Sequence, residues 1–313
     1  MILCVTPNPA LDRTLVVPDF RLHGVSRATQ VLIVAGGKGL NVARGIIRLG
    51  GRALCAGLLG GHTGRHFAQL AEAEGLCGEW TWHTTETRCA TIVVDGSGRD
   101  ASLINEPGPH VNDETWQRFA QSIVACAAEH HVSVVTFSGS VPAGPTPAMF
   151  AALLDACRAL GTEVWVDSSG EWLRAAADVP SVNIKVNSDE IAALTGRVVE
   201  APVDALVVAR GLRAQHGWRR CIITLDGRGV AMVGISGAWI AQPPAVRSVS
   251  SIGSGDVFLG ALVHGLSEGM SEADALRSAV AAGAANAMSV GGGRFALEDY
   301  HGALVRTQMT FYV

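Results

Sequence analysis

The sequence predicts an α/β fold with a mostly parallel central sheet and a small second sheet inserted as a lid. Three observations carry this. Strand-like and helix-like hydrophobic patterns alternate along most of the 313 residues. The 37 glycines suit the tight strand–helix joints such a fold needs, and 48% hydrophobic content suits a packed core. Residues 79–106 break the alternation, as do two β-rich runs within 13–34.

In chain order, Met1–Thr6 reads as a buried strand closed by Pro7-Asn8-Pro9, with Asp12 in the following loop. Thr14–Val17 and Thr29–Val34 are β-rich, parted by a polar turn at His23-Gly24. Gly36-Gly-Lys-Gly39 opens a helix through Leu49, stopped at Gly50-Gly51. Strand Ala53–Leu59 and helix Gly64–Glu74 complete a βαβ rhythm. Arg88–Val94 and Asp100–Asn105 read as a hairpin about Asp95-Gly-Ser-Gly98. Together with the earlier β-rich runs they would form the lid, at about 13–34 and 86–106. Alternation resumes with helix 113–130, strand Val132–Phe137, helix 147–159, strand Glu163–Val166 and a strand near Val182–Lys185. Helices at about 188–195 and 203–216 precede strands Arg220–Leu225, Gly229–Val233 and Trp239–Ala241, then helices 254–268 and Glu272–Ser289. Neither repeat nor linker divides the chain, so residues 1–313 are expected to form one domain carrying the lid.

Composition excludes several classes. A net charge of −4 gives no basic excess for nucleic acid. No apolar run approaches 18 residues and no secretory leader is legible, so no membrane partner is expected. Seven scattered cysteines, odd in number and without CxxC, suit reduced thiols in a cytoplasmic protein.

The richest stretch is Ser248–Leu266. Gly253 and Gly255 bare the backbone just before a helix whose first-turn N–H groups favour an anion. Asp256, in that turn, can take a proton from a hydroxyl held nearby. An anion hole of Gly253, Ser254 and Gly255 beside a carboxylate is what phosphoryl transfer to an alcohol requires, although an ordinary Gly-Ser turn fits the same residues. Gly36–Gly39 is neither a Walker A loop nor GxGxxG, yet glycines and a lysine at a helix start suit a polar ligand as well as a plain turn. Asn187-Ser-Asp-Glu190 fits helix capping, and also a Mg2+–water–phosphate network. His62 and His66 lack the glutamate of a zinc motif, and the GxSxG at 265–269 ends a helix where a nucleophile elbow would join strand to helix.

These pieces, in this order, resemble the ribokinase-like carbohydrate kinases of the PfkB family. Gly36-Gly-Lys-Gly-Leu-Asn-Val-Ala43 is similar to the family's N-terminal signature and Ser251-Ile-Gly-Ser-Gly-Asp256 to its C-terminal one. Asn187-x-x-Glu190 and Thr224-Leu-Asp-Gly-Arg-Gly229 are similar to its nucleotide-side motifs. Thr6-Pro-Asn-Pro-Ala-Leu-Asp12 and Ser138-Gly-Ser-Val-Pro142 resemble the phosphofructokinase and tagatose-6-phosphate kinase branch. The resemblance implies a three-layer α/β/α architecture and an ATP-dependent kinase using Mg2+. It implies Asp256 as base with the anion hole at Gly253, Ser254 and Gly255, and Asp12, Gly37, Lys38, Asn41 and Ser140 on the sugar side. Lys185, Asn187, Thr224, Gly227, Gly229 and Ser251 would line the ATP site, Asn286 would flank the adenine, and Glu190 would act through Mg2+. Family lids pair into homodimers, so Arg88 would act in its own or a neighbouring site. Ser254, Ser251, Val186 and Asp226 depart from the usual alanine, threonine, proline and glycine. A carboxylate at 226 would repel nucleotide phosphates unless it points outward.

The acceptor is expected to be a ketohexose phosphate, foremost fructose 1-phosphate giving fructose 1,6-bisphosphate. Lys38, Arg27 and Arg88 would hold its phosphate. Tagatose-6-phosphate kinase and 6-phosphofructokinase are the alternatives within the class. Outside it stand a dinucleotide-binding oxidoreductase and a non-catalytic sensor of nucleotides or sugar phosphates.

Overall fold

In the computed structural model, which describes residues 1–95 and 101–312, strand alternation sorts the core into two layers. Along Ile2–Thr6 (β1), Leu3 and Val5 join one apolar cluster while Ile2 and Cys4 join another across the sheet. The chain continues through Ala10–Val17 (β2), Gln30–Gly36 (β3), Lys38–Arg48 (α1), Ala53–Gly60 (β4), Gly61–Ala73 (α2) and Gly78–His83 (β5). Cys89–Asp95 (β6), Ala101–Asn105 (β7), Asp113–Glu129 (α3), Val134–Ser138 (β8), Pro147–Ala159 (α4), Glu163–Asp167 (β9) and Gly170–Ala177 (α5) follow. Next come Asn183–Asn187 (β10), Ser188–Thr195 (α6), Pro202–His216 (α7), Arg220–Thr224 (β11), Val230–Val233 (β12) and Ala238–Gln242 (β13). Ser254–Ser267 (α8), Glu272–Ala287 (α9), Leu297–Arg306 (α10) and Gln308–Tyr312 (β14) end the described chain.

The main sheet has ten strands in the order β14-β13-β12-β11-β10-β9-β8-β1-β4-β5. All pairings from β5 to β11 are parallel, and those from β11 to β14 are antiparallel. Side chains from α3 to α7 pack in one cluster, and those of α1, α2, α8, α9 and α10 in the other, so the protein is a three-layer α/β/α sandwich. Helix α8 is apolar nearly all round because it lies between α1 and α9.

The smaller sheet, of order β3-β2-β6-β7, contains both expected insertions. Its β2 and β6 pair in parallel, Asp12 opposite Ala90, which two separate insertions can do and one meander cannot. The strands begin earlier and run later than expected, from Ala10 to Gly36 in the first insertion. Of the expected turn, residues 96–98 lie outside the described residues.

Four elements differ from the sequence reading. Residues 78–83 do not break the alternation: Gly-Glu-Trp-Thr-Trp-His is the edge strand β5, parallel to β4, and an edge strand with only one neighbour needs no continuous apolar run. Helix α5 was not expected after Asp167, nor α10 and β14 after residue 289. Helix α5 has eight residues and α10 ten, too short for a clear helical period, and β14 is half exposed.

Candidate active site

Because β1, β8, β9, β10 and β11 run parallel, their carboxyl ends share one edge of the sheet, where α/β proteins place ligands. Thr6, Ser138, Asp167, Asn187 and Thr224 are the final residues of these strands. The N-termini of α1 and α8 arrive at the same edge through glycines with no freedom to change. Gly37 has φ +111°, and a Cβ there would sit 2.8 Å from Thr6 Cγ2. Gly253, the N-cap of α8, has φ +79°, and a Cβ there would sit 2.7 Å from Gly292 Cα.

The charged cluster centres on Asp167, which sequence reasoning missed. It has no exposed surface and accepts hydrogen bonds from Lys38 Nζ at 2.9 Å and Lys185 Nζ at 2.8 Å. Burial works to raise its carboxyl, but the two ammonium groups overcome that and hold it below the usual range. Asp167 raises the Lys38 ammonium in turn, against burial, and Glu190 Oε1 lies 3.5 Å from the same Nζ. Asp256 accepts from Asn41 Nδ2 at 2.9 Å. Burial raises the Asp256 carboxyl; Lys38, Lys185 and Asn41 oppose this, and Asp167 adds to it. A group held this way is a candidate proton acceptor.

Ser254 N–H closes a turn on Ser251 O at 3.1 Å and Asp256 N–H one on Gly253 O at 3.1 Å. These bonds narrow the expected anion hole to the N–H groups of Gly253 and Gly255, beside the start of the α8 dipole. A Cβ on Gly255 would stand 3.0 Å from Lys185 Nζ, so an ammonium faces the same turn.

On the small-sheet side, a methyl on Gly36 would overlap the Asp12 carboxylate, which fixes where that carboxylate lies. Burial raises Asp12 to about 6, with Arg44 and Arg88 opposing and Asp256 adding. Arg88 donates to Asn8 O at 3.0 Å, and Asn8 Nδ2 donates to Ser140 Oγ at 3.1 Å. Burial lowers the Arg88 guanidinium, and its Nε and Asn8 Oδ1 are buried without hydrogen-bond partners. Arg27 is placed differently. It lies in the exposed connection past the Val16–Gln30 pair, and that pair is four strand steps (~14 Å) along β2 from Asp12. Among the described residues, no hydrogen bond or ion pair ties Arg27 to the cluster.

The nucleotide-side motifs also resolve. Asn187 and Glu190 form a complete capping box: Glu190 N–H donates to Asn187 Oδ1 at 2.8 Å, and Asn187 N–H to Glu190 Oε2 at 2.9 Å. That leaves Oε1 facing Lys38. Thr224 and Gly229 flank a tight turn across Gly227, and Ser251 is exposed near α8. Asp226 has φ +51° and an exposed side chain. Aspartate tolerates the left-handed region better than most residues with a side chain, and exposure lets its charge stay in water. Asn286 corrects another expectation. It has no exposed surface, and its amide is spent bracing the loop before α8, donating to Ile252 O and Ser254 Oγ and accepting from Gly293 N–H. It is not placed to flank an adenine.

The signal for Asp167 was present in the sequence as an aspartate ending a buried parallel strand, Glu163-Val-Trp-Val-Asp167. Two cavities, of about 350 and 540 Å3, lie elsewhere, between α1, α8 and α10 and between α3 and α4. Among the described residues no three His, Cys, Asp or Glu converge as a metal cluster, and no helix is long and apolar enough to cross a membrane.

Comparison with known proteins matches residues 7–299 to the model of the pfkB family carbohydrate kinases. The ATP-dependent 6-phosphofructokinase isozyme 2 of Escherichia coli is 29% identical over 93% of both chains. The 1-phosphofructokinase of Haloferax volcanii is 32% identical over 90% of this chain and 88% of its own. Among solved structures, phosphofructokinase-2 from Escherichia coli in complex with substrates and products superposes with a TM-score of 0.89, at 28% identity over 97% and 98% of the two chains.

Proposed function

The chain belongs to the pfkB family of carbohydrate kinases, and on that premise we propose that it phosphorylates a ketohexose phosphate with ATP at the cluster around Asp256. The observation that carries this is the convergence of a buried carboxylate, two lysines and a helix N-terminus at the carboxyl edge of the sheet. Asp256 would take the proton of the acceptor hydroxyl. The Gly253 and Gly255 N–H groups, with Lys38 and Lys185, would face the phosphoryl group as charge spreads onto its oxygens. Thr224, Gly227, Gly229, Asn187 and Ser251 would border the nucleotide.

Mg2+ fits this donor set. Glu190 keeps one carboxylate oxygen outside its capping bond, and Mg2+ is commonly held by one or two carboxylates with phosphates and water. When bound, the ion would neutralise phosphate charge.

Arg88, near Asp12 and Ser140, is the cation best placed for the acceptor's own phosphate. Lys38, held by Asp167, would face the phosphoryl group being transferred. Fructose 6-phosphate is supported by the likeness to the Escherichia coli isozyme 2 and its structures. Fructose 1-phosphate is supported by the likeness to 1-phosphofructokinases, at 27–32% identity. Either acceptor yields fructose 1,6-bisphosphate. ADP release measured over fructose 6-phosphate, fructose 1-phosphate, tagatose 6-phosphate and fructose separates them. The acceptor should exceed its isomers in kcat/KM by tenfold or more. ADP release with none of the phosphorylated sugars would overturn the reading.

We place the enzyme in the cytoplasm, as a homodimer through the small sheet. Its edge strands β3 and β7 expose Val31, Leu32, Leu103 and Ile104.

A further inference from the structure

Arg44 is the one arginine of α1 that is buried, at 8% exposure, and sequence reasoning gave it no role. Its guanidinium is used on three sides. Nε and Nη2 hold the Glu74 carboxylate at 2.8 and 3.2 Å, and Nη2 also donates to Ala35 O at 2.7 Å. Nη1 donates to Asn41 Oδ1 at 3.0 Å. Asn41, one helical turn earlier, donates its Nδ2 to Asp256 Oδ2 at 2.9 Å. Arg294 closes on Glu74 from the other side at 3.2 Å.

The chemistry of these groups fixes the Asn41 amide. A guanidinium only donates, and an ionised carboxylate only accepts. With Arg44 against one end, Oδ1 must face it, and Nδ2 must face Asp256. The reversed amide would set Oδ1 against the carboxylate and Nδ2 against the guanidinium, losing both bonds. Glycines leave this amide its room: a Cβ on Gly253 would come 3.3 Å from Asn41 Nδ2, and one on Gly292 would overlap the Asn41 amide.

We infer that Arg44 is a positioning residue for phosphoryl transfer, holding the Asn41 amide so that its N–H supports the Asp256 carboxylate, with Glu74 and Arg294 fixing Arg44. This rests on the reading of Asp256 as the base. Asn41 is thereby assigned a bond to the base in addition to any contact with the sugar. The other charged groups acting on Asp256 are Lys38 from α1, Asp167 from β9, Lys185 from β10 and Asp12 from β2. Arg44 also acts on Asp12 through its charge, so the informative variant keeps a cation.

The test is the pH dependence of kcat, with KM for ATP and for the acceptor, in wild type, Arg44→Lys, Asn41→Leu and the double variant. Lysine keeps the charge but cannot hold Glu74, Ala35 and Asn41 together. Arg44→Lys should lower kcat roughly 10- to 100-fold with little change in KM for ATP. Its acid limb should move to higher pH, because the base loses a hydrogen bond that favours its charged form. Asn41→Leu should move the limb the same way, and the double variant no further. An acid limb unmoved in Arg44→Lys, or shifts that add in the double variant, would overturn the proposal. Should Arg44→Lys fail to fold, Glu74→Ala removes both acceptor oxygens and frees the guanidinium instead: a limb shifted upward supports the positioning role, and an unmoved one rejects it. Asp256→Asn separates this from the parent reading. If that variant keeps its turnover, the base assignment fails; if it is inactive while the Arg44→Lys limb stays put, only the positioning role fails.

Discussion

At Asp256, burial and the charge of Asp167 favour the neutral acid, while Lys38, Lys185 and the Asn41 amide favour the carboxylate. On the proposed reading, this balance keeps the proton acceptor ready in a buried position. Asp256→Asn removes the acceptor and leaves the pocket, so kcat should fall by at least ~10^3-fold with both substrates still bound. Single-turnover kinetics with titration of ATP binding checks this, and more than a tenth of wild-type turnover would reject the assignment. Asp12 supplies a pH test of stability. Its native value of about 6 stands above the ordinary 3.8, so between these values the folded chain holds a proton that the unfolded chain releases. Its stabilising contribution is full below about pH 4 and is lost as pH rises through about 6. In thermal melts, wild type should therefore lose ground to Asp12→Asn between pH 4 and pH 7. A constant difference across that range would show that Asp12 is not the group responsible.

Helices α1 and α8 carry the two halves of the site, Lys38 and Asn41 on one and Asp256 on the other, so their separation sets the geometry of the chemistry. Glycine makes the close approach possible. A Cβ on Gly260 would stand 2.5 Å from Val42 O, and one on Gly45 3.3 Å from Val257 Cα. Gly260→Val should force the helices apart, costing about 1–3 kcal/mol of stability. It should also lower turnover roughly 100-fold, since an ångström of misplacement breaks the Asn41–Asp256 contact. Urea unfolding and kcat measured on the folded variant test the two parts. Full activity in a destabilised Gly260→Val would show that the α1–α8 distance does not govern the site.

For the whole molecule, we propose the small sheet as the place where a second copy binds. It stands outside the three-layer sandwich and presents apolar residues on both edge strands, and such an edge invites pairing. Leu103→Lys with Ile104→Lys should convert a dimer at micromolar concentration into monomers, seen by light scattering after gel filtration. A monomeric wild type at tens of micromolar would remove the dimer from the account. Arg27 lies past the far end of β2, so the dimer bears on whether that arginine reaches any site at all.

The sequence by itself determined the alternation of strands and helices, the two insertions that build the second sheet, and the signatures at Gly36–Ala43 and Ser251–Asp256. These are local: period, glycine placement and capping act within a few residues, and the capping box at Asn187–Glu190 is legible for that reason. Tertiary structure decided what depends on distant parts meeting. Asp167 matters because two lysines from other elements, 129 and 18 residues away, close on it. Asn286 proved to be a brace because its partners lie across a turn seven residues on and a loop more than thirty residues back. Arg44 and Asp256 are 212 positions apart, and nothing in either's neighbourhood indicates that one amide lies between them. Periodicity shows which face of an element is buried, but only packing shows what it is buried against.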